Sequence, residues 1–176
     1  DYAVERIRRA GLSNRVDIRL QDYRDVQGEF DGIASIEMFE AVGEKYWPIY
    51  FRTLRERLKP GAQGVLQIIT VQDSRWESYR KGVDFIQKYI FPGGMLPAPT
   101  VLRAEIDRAG LDFRQSFEFG QSYAQTLKRW HETFQERWGE VARLGFDARF
   151  KRMWEFYLCS CAAAFSSEIC DVTQVT

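Results

Sequence analysis

Glu37 and Glu40 stand three residues apart in the string Ser35-Ile36-Glu37-Met38-Phe39-Glu40-Ala41-Val42-Gly43. If that segment is helical, both carboxylates lie near one face. A carboxylate set among Phe, Met and Ile loses solvation of its charged form, which makes it a candidate base or anion-relay group. On spacing alone the simpler reading is favoured, that one or both carboxylates cap or flank a helix that begins near Glu44. Gln21-Asp22-Tyr23 is a second candidate. An amide, an acceptor and an aromatic face in succession suit the edge and face of a purine, and they also make an ordinary polar turn. Gln67 to Thr70, closing an apolar run, is the third. His131, the only histidine, lies in the polar stretch Trp130-His131-Glu132. That placement excludes Ser-His-Asp and Cys-His catalysis with obvious partners. Cys159, Cys161 and Cys170 have neither CxxC spacing nor a histidine partner, so they read as reduced thiols and not as metal ligands.

An alternating framework is expected to position these groups. Apolar residues from Ala3 to Leu12 recur at helical spacing up to Gly11, and Val16-Asp17-Ile18-Arg19-Leu20 alternates with the period of a strand. Phe30 to Ile36 reads as a second strand. Tyr46 to Leu58 reads as an amphipathic helix broken at Lys59-Pro60-Gly61. Gly64 to Val71 is a near-continuous β-branched run, the mark of a strand buried on both faces of a parallel sheet. The order α, β, α, β predicts an open α/β sheet, in which ligands gather beyond the carboxyl ends of the strands. All three candidate segments sit at such ends. From Asp73 to Pro99 the pattern loosens, and the Pro-, Gly- and apolar-rich stretch from Phe91 to Pro97 predicts a covering loop. Thr100 to Ala109 reads as a helix capped by Thr100, and Leu111 to Phe119 as a strand. Two further helices are expected over Ser122 to Trp138 and Asp147 to Phe165, and a closing strand over Ile169 to Val175. With no repeat or linker, the 176 residues read as one domain.

Composition narrows the function classes. Lys and Arg number 25, Asp and Glu also 25, and both signs are interspersed, which excludes a protein that grips nucleic acid through its backbone. Phe, Tyr and Trp make up 15% of residues, an excess that points to a demand for flat apolar surface. No run of about 18 apolar residues and no signal-peptide pattern occurs, so the cytosol or a membrane surface is the expected setting. The chain opens on Asp1-Tyr2-Ala3, already inside a helical pattern and without Met, so preceding residues are expected. There is no G-x-G-x-x-G and no P-loop. A phosphate-level loop, if the protein binds a nucleotide-like cofactor, is expected in those preceding residues.

Together, several strings resemble the cyclopropane-fatty-acid synthases. They are Gln21-Asp22-Tyr23-Arg24-Asp25, Ser35 to Gly43, Leu58-Lys59-Pro60-Gly61, Tyr89-Ile90-Phe91-Pro92-Gly93-Gly94-Met95-Leu96-Pro97, Tyr123-Ala124-Gln125-Thr126-Leu127 and Arg149 to Trp154. The resemblance runs the length of the chain. It implies a class I S-adenosylmethionine-dependent methyltransferase fold: an open, mostly parallel, Rossmann-like sheet with a reversed edge strand, the first strands missing. The chain would then be the C-terminal portion of one catalytic domain. The implied reaction transfers the methyl group of S-adenosylmethionine to the cis double bond of a phospholipid acyl chain, and a bound bicarbonate deprotonates the resulting carbocation as a ring closes. The implied setting is cytoplasmic, with peripheral membrane contact, and a homodimer is admitted.

Roles carry over by matching positions. The resemblance gives Glu40 to the orientation of bicarbonate, Tyr123 to a hydrogen bond with it and the backbone N–H of Ile69 to the same anion. Gln67 stands where several members of the family have histidine; an amide donates a hydrogen bond but carries no proton or charge. Gln21, Asp22, Tyr23 and Ser35 fall to the cofactor, and no metal is implied. Phe91 to Leu96, with Phe150, Trp154 and Tyr157, would wall an acyl channel, and aromatic faces there would stabilise a cation. A methyl-branched product from the same cation is the alternative inside the family. A non-catalytic lipid-binding fragment is the alternative outside it.

Overall fold

The computed structural model describes residues 2–176 as an α/β fold with one mixed four-stranded sheet. Its elements are α1 (Tyr2–Arg9), β1 (Phe30–Ile36), α2 (Trp47–Arg57), β2 (Leu58–Val71), α3 (Asp73–Lys81), α4 (Phe85–Tyr89), α5 (Pro99–Arg108), β3 (Ser116–Glu118), α6 (Gly120–Glu136), α7 (Trp138–Arg143), α8 (Ala148–Ser166) and β4 (Cys170–Val175). Three short 3-10 turns, Tyr23–Asp25, Phe39–Ala41 and Glu44–Tyr46, lie beside the strand ends.

The sheet order is β1-β2-β4-β3, with β1 parallel to β2, and β4 antiparallel to both β2 and β3. One strand is thus reversed, as expected, but it lies one place in from the margin, with β3 outside it. Ile36 pairs with Gln67 and Gln67 with Gln174, so three successive strands meet at one level.

Hydrophobic periodicity accounts for both faces. On β2, Leu66 and Ile68 turn to a core shared with Phe39, Trp47, Tyr50, Phe51, Leu102 and Ile106 from α2, α5 and the turn before α2. Ile69 turns the other way, onto Ala124, Leu127, Leu158 and Phe165 of α6 and α8. A strand with apolar residues on both faces reads as a near-continuous apolar run, and Gly64 to Val71 does, interrupted only by Gln67 and Thr70.

Four expectations are corrected. Val16 to Leu20 forms no strand: all five residues are exposed, and no strand lies beside them among the described residues. Alternation creates a face, but a strand also needs a partner ladder for its backbone groups. The expected strand over Leu111 to Phe119 shortens to Ser116–Glu118. The loose stretch after Asp73 contains α3 and α4, the latter held by a reciprocal cap between Asp84 and Gln87. Thr100 is not the cap of α5; the helix starts at Pro99, and Thr100 instead bonds the Asp73 carboxylate through its N–H and hydroxyl.

Candidate active site

β1 delivers Ser35 and Ile36 to the carboxyl end of the sheet, where the chain turns sharply at Glu37. Its φ of 49° lies in the left-handed region that favours glycine, so the surroundings must hold this side chain in place. Three bonds do so. The Glu37 N–H donates to the Gln67 carbonyl at 2.9 Å. Gln67 Nε2 donates to Glu37 Oε1 at 2.8 Å, and the Tyr123 hydroxyl donates to that same oxygen. The second hydrogen of the Gln67 amide goes to the Tyr123 oxygen at 2.8 Å.

Tyr123 reaches this point because the first turn of α6 docks closely on β4. The Gly120 N–H donates to Asp171 Oδ1 at 2.7 Å, and a Cβ at Gly120 would meet that oxygen at 2.7 Å. The Tyr123 ring lies against Phe119 and Phe165, with centroids 5.7 and 5.5 Å away. Burial raises its hydroxyl pKa, and the bond to Glu37 adds to the rise, so Tyr123 stays a proton donor at neutral pH.

Glu40 sits one turn further on, between buried Phe39 and the loop that follows α4. Its Oε1 accepts from the Ile69 N–H at 2.6 Å, and its Oε2 is buried without a partner among the described residues. Burial raises its pKa, partly offset by the Ile69 bond, while the Glu37 charge adds to the rise. The Glu40 carbonyl accepts from the Met95 N–H at 2.9 Å, so the Phe91 to Pro97 loop is pinned to the backbone of this residue. In that loop Phe91 meets Tyr157 edge-on at 6.2 Å, and Tyr157, Trp154 and Phe150 continue as an aromatic row along α8.

The structure therefore brings Glu40, Ile69, Gln67 and Tyr123 to one place, and adds Glu37 and Gln174 to it. The spacing marks Glu37, with Glu40, as a candidate base or anion-relay group, whereas the family resemblance assigns a role to Glu40 alone. Gln174 carried no local signal, because a glutamine in a terminal strand looks like surface.

The four residues matched to the cofactor form a second group. Asp22 caps the turn after it, accepting from the Arg24 N–H at 2.9 Å, and pairs with the Arg24 guanidinium at 2.7 Å. That pairing holds its carboxyl down to about 2. Gln21 spends its amide on the Asp25 carbonyl at 2.9 Å. Tyr23 packs edge-on against Tyr50 at 5.6 Å, and the Tyr50 hydroxyl donates to Ser35 Oγ at 2.7 Å. Asp22 Oδ2, with one guanidinium bond, keeps acceptor capacity beside the Tyr23 ring. This set fits a purine edge and face.

The residues matched to bicarbonate do not fit that ion. Each donor meant for it is taken by a carboxylate of the chain: Ile69 N–H by Glu40, Tyr123 O–H and the Gln67 amide by Glu37. A third anion would join two carboxylates that have no ion-pair partner among the described residues. His131 lies on α6, half-buried and 3.1 Å from the Gln135 amide, outside both groups. Among the described residues no cluster of metal-binding side chains occurs, and no helix is long and apolar enough to cross a membrane.

A family model described as mycolic acid cyclopropane synthetase matches residues 1–175. The chain is 42% identical over 175 residues to tuberculostearic acid methyltransferase UfaA1 of Mycobacterium tuberculosis, covering 99% of this chain and 41% of that protein. It is 38% identical over 161 residues to the cyclopropane-fatty-acyl-phospholipid synthase of Escherichia coli K12, covering 91% and 40%. The chain thus spans about two fifths of the length of these relatives. Among solved structures, the cyclopropane synthase MmaA2 of Mycobacterium tuberculosis superposes with a TM-score of 0.82 at 22% identity, covering 99% of this chain and 66% of that one. Mycolic acid cyclopropane synthase CmaA1, complexed with SAH and CTAB, gives 0.81 at 22% identity with the same coverage. These likenesses show the class I methyltransferase fold, and the family match with the 38–42% identities shows that the chain belongs to the mycolic acid cyclopropane synthetase family.

Proposed function

We propose that this chain is the C-terminal portion of a methyltransferase catalytic domain that alkylates the cis double bond of an unsaturated acyl chain in a membrane phospholipid. The observation that carries the reading is the convergence of Tyr123, Gln67 and Glu37 at the carboxyl ends of β1 and β2, with an aromatic row from Phe150 through Trp154 and Tyr157 to Phe91 reaching the loop that is pinned to the Glu40 carbonyl. The names of the relatives, which act on fatty or phospholipid acyl chains, support it. When bound, S-adenosylmethionine supplies an electrophilic methyl group. The residues of this chain hold its purine at Asp22, Tyr23 and Ser35, line an apolar slot for the acyl chain and keep water from a cationic substrate. A protein with this substrate works on the cytoplasmic side in peripheral contact with a bilayer.

The product has two forms. Ring closure gives a cyclopropane, as the name of the Escherichia coli relative states. The 42% identity to a tuberculostearic acid methyltransferase favours a branched product as the second reading. The test is a fatty-acid profile, by mass and proton NMR, of cells expressing the gene with any sequence that flanks this chain. Chains one carbon longer are expected, with ring methylene or exomethylene protons telling the two apart. An unchanged profile sinks the lipid substrate.

A further inference from the structure

We infer that Glu37 is the built-in base of this site, its carboxylate occupying the place that a bound bicarbonate would hold. The inference rests on the lipid-alkylating reading above and deepens it.

Three observations carry it. First, the groups matched to bicarbonate do not point into open space. The Tyr123 hydroxyl and the Gln67 amide both donate to one oxygen, Glu37 Oε1. A carboxylate and bicarbonate present the same planar pair of acceptor oxygens, so one set of donors serves either, but not both together. Second, Glu37 holds this position at a φ of 49°, where glycine would be unstrained. The strain is sustained by the bonds that the side chain makes. Third, the amide at Gln67 suits an anion that is part of the chain. It donates both of its hydrogens into the cluster and has no proton to contribute.

The chemistry balances without an external base. The alkene π pair forms the new C–CH3 bond as the S–CH3 bond breaks with its pair remaining on sulfur, leaving a carbocation on the neighbouring carbon. Glu37 then accepts a proton from the transferred methyl group. The released C–H pair either closes the third bond of a ring or, after a 1,2-hydride shift, forms an exomethylene double bond. Reduction of that double bond to a methyl branch requires a hydride donor of the reduced-nicotinamide or flavin type, supplied by a separate protein. Tyr123 and Gln67 hold the Glu37 carboxylate in place through these steps and stabilise its charge before the transfer.

The test uses the gene product with any sequence that flanks this chain, in buffer stripped of carbon dioxide. Carbon-13 NMR line broadening of labelled bicarbonate reads the anion site directly, and product formation is followed separately. The unsubstituted protein should cause no saturable broadening, and its turnover should not change on adding bicarbonate. Glu37→Gln should lose at least about a hundredfold in product formation and not recover with bicarbonate, because the amide fills the space without accepting a proton. Glu37→Gly should fold at least as well, lose turnover similarly, gain saturable bicarbonate broadening and recover part of its activity when the ion is added. Saturable broadening with the unsubstituted protein, or product formation by Glu37→Gln within threefold of it, overturns the inference. The NMR measurement reports on the anion site even where no lipid product forms, so failure of the lipid reading is distinguishable.

Discussion

Gln174 Nε2 donates to Gln67 Oε1 at 2.8 Å, and this single bond decides which end of the Gln67 amide faces Glu37. With its oxygen engaged by the reversed strand β4, Gln67 has only its NH2 group left for Glu37 and Tyr123. The orientation of one side chain is therefore set from the strand next door.

Replacing Gln174 by Glu should invert that arrangement. A carboxylate only accepts, so Gln67 must rotate its amide to donate to it, which turns the Gln67 oxygen toward Glu37 Oε1. Turnover should fall about tenfold or more, an unmade charged hydrogen bond costing roughly 1.5–3 kcal/mol. Gln174→Leu should fall less, because a free amide can still adopt the productive orientation. Equal losses in the two variants, measured as kcat, would count against orientation as the role of Gln174.

Glu40 makes stability depend on pH in a defined direction. Its folded pKa is raised above the ordinary value of 4.5, chiefly by burial, so its favourable contribution is complete below that value and is lost as pH rises through the raised one. Glu40→Gln should therefore gain stability relative to the unsubstituted protein at pH 7, and the difference should shrink toward pH 4. Urea denaturation of both proteins at the two pH values measures this. A difference that is the same at both would show that the carboxyl does not titrate out of its ordinary range. The variant should also keep S-adenosylmethionine binding, since Asp22 and Tyr23 are untouched.

Phe39 ties the site to the core. It is fully buried, stacked on Trp47 at 5.0 Å and in contact with Tyr50 and Phe51. Phe39→Ala should cost about 3–5 kcal/mol, by lost burial and the cavity left behind. Because Glu40 follows directly, turnover should fall even at temperatures where the variant is folded. A midpoint within 2 °C of the unsubstituted protein in thermal denaturation would contradict the packing described, on the usual scaling of about 2–8 °C for each kcal/mol.

Asp22→Asn keeps the cap on the turn, because an amide oxygen still accepts from the Arg24 N–H, but it removes the charge. Calorimetric titration should show weaker S-adenosylmethionine binding with an unchanged fold. Arg24 holds the Asp22 carboxyl down to about 2, so it stays ionised throughout the range from pH 7 to pH 4. Binding by the unsubstituted protein should accordingly show no titration step from Asp22 in that range. Undiminished affinity in the variant would remove Asp22 from the cofactor site.

The sequence alone determined what depends on local pattern. The β-branched run to Val71 and the apolar stripe of α8 fix element type, because helices and buried strands write their periods into the chain. The strings around Glu40 and Tyr123 were also enough to place the family and to bring four site residues forward. The tertiary structure decided what depends on partners. Val16 to Leu20 alternates like a strand yet stays unpaired, since a ladder is a property of two segments. Only the register Ile36–Gln67–Gln174 sets a glutamine from the last strand against one from the second. Only the close docking of Gly120 on Asp171 brings Tyr123 onto Glu37. These contacts join residues 30 to 107 positions apart, and no local period encodes a hydrogen bond across that separation.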